Sequence, residues 1–406
     1  MFKKLLSSEL GKGAIILFIT INIFNFLNYL FHFVMGHMLG PEDYGVLAVL
    51  MSVLTIYNIP TEAIQNLISR YSSKLNLKDE KRKIKFLIIS SLKKGLKISL
   101  LIFILATIIT FPLSKLLKIN FWLFFISNFL IFYSFLGPIN KGVMQGQKRF
   151  GYLGINFMLE AGLKLFFAIS FVIFGFKIFG AVMGILMGVS SGLIFSFYFN
   201  KDILKEKAEK FKLDEFKLKE VSYFITTIII FVALSLDIIL AKIFFSAEVV
   251  GKYSVISMIG KMIFFGTIAI SKTMFPLTSE KHDKNENPIK IFKKSLIIVI
   301  VLEFLTILLF AFFPKDIIGL LYGNQYTDMA YLLVYSGISL SFLSLVNLNL
   351  YYCLSTKGVR KPYYLFIFLI IEIVLLCTFN ENIMQYTISF MVSNIIMFIG
   401  SLFLIK

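Results

Sequence analysis

Long apolar runs recur along the chain, separated by short polar breaks. Read as helices, they give segments at about 13–36, 44–67, 97–117, 121–140, 151–175, 177–199, 221–245, 250–275, 295–314, 326–354, 362–380 and 383–405. At 1.5 Å rise per residue, about 20 apolar residues cross roughly 30 Å of hydrocarbon. The pattern predicts an all-α polytopic membrane protein with about twelve transmembrane helices. None of the breaks is long enough to be an extramembrane domain. The first run follows a short basic stretch but has no small-residue cleavage pattern, so it reads as a spanning helix and not a signal peptide.

The longest charged break, NKDILKEKAEKFKLDEFKLKE at 200–220, divides the chain near its middle. It predicts an N-terminal six-helix lobe at 1–205, a cytoplasmic connector at 206–220 and a C-terminal six-helix lobe at 221–406. A faint repeat agrees with that division. At an offset of 206 residues, Glu42 and Gly45 of LGPEDYGVLAVL fall on Glu248 and Gly251 of FSAEVVGKYSVI, and the Lys-rich stretch 74–85 falls near 280–291. Six helices per half give both halves the same orientation. This is a parallel repeat, with a central cavity and a site expected near the midplane.

Composition strengthens the membrane reading. The chain is 58% hydrophobic and only 16% charged, whereas soluble domains run near 25% charged. The net charge of +18 would suggest nucleic acid in a soluble protein. Here 33 of the 41 Lys and Arg fall in loops on the side of the N-terminus, and five on the other. The positive-inside rule then puts both termini in the cytoplasm. The charge is accounted for by topology and by attraction to anionic lipids, with no need for a nucleic-acid partner. Cys353 and Cys377 make no disulfide framework, and His32, His37 and His282 are too scattered for a metal site. No P-loop, G-x-S-x-G or H-E-x-x-H motif is present, so the chain is not expected to be an enzyme.

Polar side chains inside spans point to cavities or partners. Asn22, Asn25, Tyr29 and His32 recur every three or four residues on the first helix, as packing glue or as the lining of a hydrated cavity. Glu160 and Lys164, four apart, have the spacing of an in-helix pair. Lys242 lies one turn from the outer end of its helix, where its stem can snorkel. Lys261 lies about 16 Å into its helix, too deep to snorkel. It is either paired with Asp237 or pointing into the cavity. Glu303 and Glu372 fall near mid-bilayer, where a carboxyl holds a proton or coordinates a cation.

Three stretches carry a resemblance: MLGPEDYGVLAVLMSVLTIYNIPTEAIQNLISRYSSKL, GVMQGQKRFGYLG and SLDIILAKIFFSAEVVGKYSVISMIGKMIFFGTIAISKTMFPLTSE. They resemble the polysaccharide-type, Wzx-like members of the multidrug/oligosaccharidyl-lipid/polysaccharide (MOP) flippase superfamily. The resemblance implies two six-helix lobes around a cavity that opens alternately to each side. It also implies a cargo of polyprenyl-(pyro)phosphate-linked oligosaccharide, moved from the cytoplasmic to the outer leaflet; a single copy of the protein is expected to suffice. Relatives line the cavity with Arg; this chain has none at mid-membrane. Lys164 and Lys261 are therefore expected to meet the phosphate, and Asn22, Asn25, Tyr29 and His32 the sugar. Asp237, Glu372 and Asn394 are expected at a coupling site for Na⁺ or H⁺, with no other cofactor. The competing readings are a cation-coupled drug exporter of the same superfamily and a membrane-embedded polysaccharide polymerase.

Overall fold

The computed structural model describes residues 9–211, 218–356 and 364–405. Lys3, Lys4, Lys212, Lys217, Lys357, Arg360, Lys361 and Lys406 of the basic tally lie outside the described residues, as does much of the charged connector. The described chain is helical, with no strand. In order the helices are α1 Glu9–Tyr57, α2 Ile59–Asn76, α3 Lys81–Leu116, α4 Phe121–Asn128, α5 Leu130–Gly146, α6 Phe150–Phe171, α7 Lys177–Phe199 and α8 Lys201–Leu204. After the connector come α9 Leu218–Phe244, α10 Ala247–Asp283, α11 Ile289–Phe312, α12 Pro314–Tyr322, α13 Leu333–Ser355, α14 Leu365–Thr378 and α15 Ile383–Ile405.

Among the described residues, nine helical stretches are long and apolar enough to cross a membrane. Two of them, Ile19–Asn76 and Phe150–Phe199, are interrupted and supply two segments each. The shorter apolar helix Leu365–Thr378 brings the number to twelve. The first interruption is Gly40, at φ 73°. That conformation suits glycine, and the following Pro41 has no N–H with which to continue the helix. The second is Gly175, at φ 90°, in the π-turn Val172–Phe176. Large apolar side chains such as Phe174 (76% exposed) and Phe403 (71% exposed) stand outside the packed core. In a bilayer they face acyl chains.

Some helices outrun their sequence-predicted bounds. The segment read as 97–117 begins at Lys81, making α3 36 residues and about 54 Å long. The segment read as 250–275 extends to Asp283.

The chain forms two compact units: Met1–Leu39 with Tyr57–Asp214, and Gly40–Ile56 with Glu215–Lys406. In the first, α6 and α7 are an antiparallel hairpin. Gly180, Gly184, Gly188 and Gly192 on α7 lie against Phe171, Ala168, Lys164 and Glu160 on α6, stepping by about four in opposite directions. Such four-spaced glycines let membrane helices approach backbone to backbone.

In the second unit, α10 and α13 run parallel. The Thr267 and Ser344 hydroxyls are 2.6 Å apart, and so are those of Thr278 and Ser355, eleven residues further along both helices. Tyr44, from the second segment of α1, is buried against Tyr322 and Tyr326, with ring centroids 5.7 and 6.2 Å away.

Candidate functional site

Each unit buries a lysine–carboxylate cluster. In the first unit Lys141 on α5 reaches Glu160 on α6, with Nζ to Oε2 at 2.6 Å. Tyr133, two turns before Lys141 on α5, donates its hydroxyl to the same oxygen and lies 2.5 Å from the Lys141 ammonium. The Phe157 ring, 4.8 Å away, also covers that ammonium. Gly192 on α7 makes room for this carboxylate; a Cβ there would stand 2.7 Å from Glu160 Oε2.

The spacing of Glu160 and Lys164 therefore misleads. Glu160 turns to α5, and Lys164 turns to α1, where its ammonium donates to Asn28 Oδ1 and lies 4.5 Å from the Phe31 ring centroid. Two residues change status. Lys141, read from the sequence as a loop residue, is 4% exposed inside a helix. Asn28 was missed, although it lies three residues after Asn25 and four before His32, on the predicted stripe. That stripe runs from exposed Asn22 and Asn25, through half-buried Tyr29, to His32 at 7% exposure.

In the second unit the cluster is built on Asp237 of α9, which is fully buried. Tyr253, Ser257 and Lys261 stand four apart on α10 and so share one face. All three donate to its carboxylate: Lys261 Nζ to Oδ1 at 3.1 Å, Tyr253 to Oδ2 at 3.4 Å, and Ser257 to Oδ2. Tyr386 of α15 donates its hydroxyl to the Asp237 carbonyl at 2.7 Å. Of the two sequence alternatives for Lys261, the structure takes the ion pair; the lysine is 5% exposed. The i, i+4, i+8 spacing of Tyr253 and Ser257 with Lys261 was the available signal for the other two donors.

Glu372 of α14 is also fully buried, and neither carboxyl oxygen has a hydrogen-bond partner. It feels the charges of both Asp237 and Lys261. With one lysine facing two carboxyls, ionised Glu372 leaves one negative charge uncompensated, a debt that a proton or a monovalent cation settles. Asn394 lies elsewhere on α15. Its amide donates to Ser339 of α13 at 2.9 Å and to the Phe390 carbonyl at 3.0 Å, and its Oδ1 has no partner. Lys242, expected to snorkel, is 6% exposed. Among the described residues no group of three or more His, Cys, Asp or Glu is placed to hold a metal ion.

A family model described as "Polysaccharide biosynthesis protein" matches residues 10–282. The fold is similar to a multidrug resistance MATE family transporter of the MOP superfamily in its inward-facing conformation. The TM-score there is 0.73 at 13% identity, over 93% of this chain and 94% of that one. An outward-facing conformation of such a transporter matches with TM-score 0.63 and 14% identity, over 99% and 97%. A MOP superfamily transporter from Pyrococcus furiosus, described as having a binding pocket of reverse polarity, matches with TM-score 0.65 and 14% identity, over 97% and 94%. No curated protein matches the chain by sequence.

Proposed function

The chain belongs to the polysaccharide biosynthesis protein family, as a Wzx-like member of the MOP flippases, and we propose that its cargo is a polyprenyl-(pyro)phosphate-linked oligosaccharide. The cargo moves from the cytoplasmic to the outer leaflet of the cell membrane by alternating access, with both termini in the cytoplasm. The observation that carries this reading is the family match over residues 10–282, which includes Lys164, Asp237 and Lys261.

Within it, Lys164 is the candidate phosphate contact. Its hydrogen-bond partner Asn28 is neutral, so no carboxylate is bonded to its ammonium, which at 6% exposure a phosphate reaches by replacing Asn28. A lipid diphosphate is held best by such charge-assisted donors. The exposed Asn22 and Asn25, with Tyr29 and His32, supply hydrogen bonds suited to sugar hydroxyls. Lys261 is held by Asp237, so it works with Asp237 and Glu372 as the place where Na⁺ or H⁺ enters. Asn394 is a more remote member. The protein acts as a single copy, without a cofactor and without nucleic acid.

The likeness to multidrug transporters favours one second reading, cation-coupled export of a small drug-like molecule. Reconstitution separates the two. In vesicles of phosphatidylcholine with anionic lipid, a fluorescent short-chain polyprenyl-diphosphate oligosaccharide should become inaccessible to an outside quencher faster with wild type than with Lys164→Ala. Transport of a cationic dye, with no movement of the lipid-linked sugar, would overturn the flippase reading.

A further inference from the structure

Glu303 on α11 stands apart from both clusters. It is 4% exposed, its Oε1 has no hydrogen-bond partner, and among the described residues it forms no ion pair. The polar group acting on its carboxyl is the Ser344 hydroxyl of α13. Ser344 Oγ lies 2.6 Å from Thr267 Oγ1 of α10. Thr267 Oγ1 in turn lies 2.9 Å from the Ile263 carbonyl oxygen and 3.0 Å from that of Phe264. Of the lysines on α10, Lys261 is committed to Asp237, and Lys272 stands five residues beyond Thr267. The lysines of α11 itself (Lys290, Lys293 and Lys294) lie nine or more residues away along the helix.

Each hydroxyl has one hydrogen to donate. If Glu303 is protonated, it donates to Ser344, Ser344 to Thr267, and Thr267 to a helix carbonyl, so every hydrogen has an acceptor. If Glu303 is ionised, Ser344 must turn toward it. The single Thr267 hydrogen must then choose between Ser344 and its own backbone, and a buried charge is left with one donor and no counter-ion. Burial without such partners strongly disfavours the ion.

We propose that Glu303 is a proton-binding site, separate from the Asp237 cluster, whose proton sets the direction of a hydroxyl chain joining α11, α13 and α10. The ligand is the proton itself, and the assignment does not depend on what the protein transports.

Infrared spectra of the whole protein in phosphatidylcholine vesicles test this, with wild type compared against Glu303→Gln. The difference spectrum should show the carbonyl band of a protonated carboxylic acid at neutral pH, and that band should fade on alkaline titration. Ser344→Ala keeps Glu303 but removes its hydrogen-bond acceptor, so the same band should move to higher frequency. This second variant also serves if the glutamine variant fails to fold. A carboxylate band at neutral pH would overturn the proposal. So would a band that never titrates while the protein remains folded, since that marks a fixed packing residue only.

Discussion

Gly45 and Gly251, which the 206-residue repeat superimposes, also touch. A Cβ on Gly45 would stand 2.7 Å from the Gly251 nitrogen, and one on Gly251 would run into the Pro41 carbonyl oxygen. The second segment of α1 thus crosses α10 at backbone contact, as small residues allow in membranes. Gly251→Ala should lower stability by about 1–3 kcal/mol or more, because the clash is with backbone that has little freedom to yield. Gly162→Ala, with nothing within 4 Å of its Cβ, is the control and should gain about 0.5–1 kcal/mol from helix preference. Thermal unfolding of the purified protein in detergent measures both.

Lys141 and Glu160 should stand or fall together. Removing one partner of a buried pair leaves an uncompensated charge, a loss of about 3–5 kcal/mol. Glu160→Gln and Lys141→Met should each lower the unfolding midpoint, and the double variant should recover most of the loss. Additive losses in the double variant would show that the pair is not the unit that matters.

At the Asp237 cluster, Asp237→Asn and Glu372→Gln should slow net transport in vesicles while retaining binding of the lipid-linked sugar. Wild-type transport should respond to an imposed Na⁺ or H⁺ gradient, a source of about 2.3 kcal/mol per charge per 100 mV. Equal wild-type rates with the gradient present, reversed and collapsed would end the coupling proposal. The exchange Asp237→Lys with Lys261→Asp should restore more transport than either single change.

Outside the membrane, Arg149 and Asp202 form a two-pronged pair, with Nη1 to Oδ1 at 2.8 Å and a second bond from Nη2 to Oδ2. The guanidinium hydrogen bonds hold the Asp202 carboxyl below the usual carboxylate range. A carboxyl so depressed contributes stability above its unfolded value, about pH 4, and loses it as pH falls through the folded one. The stability difference between wild type and Arg149→Ala should therefore be constant near neutrality and shrink in acid. High salt should also reduce it.

The spans were legible because the bilayer imposes a length and forbids unpaired backbone, both of which a hydropathy pattern records. The partners of buried charges were less legible. Glu160 and Lys164 had ideal helical spacing, yet each found a better-placed group on another helix, and spacing within one helix is silent about its neighbours. Lys141 was hidden because the apolar segment read from the sequence stops at residue 140, one position before it. In the fold, Pro138 is accommodated within α5, and the lysine is covered by Phe157 and bound to Glu160. The four-residue period from Gly180 to Gly192 stands in the sequence, but the helix it packs against shows only in the fold. The Asp237–Lys261 pair was legible as one of two alternatives, since depth alone ruled out snorkelling.

The excursion of residues 40–56 into the second unit has a topological result. The chain passes between the units three times, at residues 39–40, 56–57 and 214–215. Severing the charged connector would not free one half from the other, because the first fragment would still hold a helix built into the second. Two separately synthesised pieces, 1–211 and 218–406, have reason to reassemble. The later piece alone would lack Tyr44 and Gly45, leaving Tyr322, Tyr326 and Gly251 uncovered.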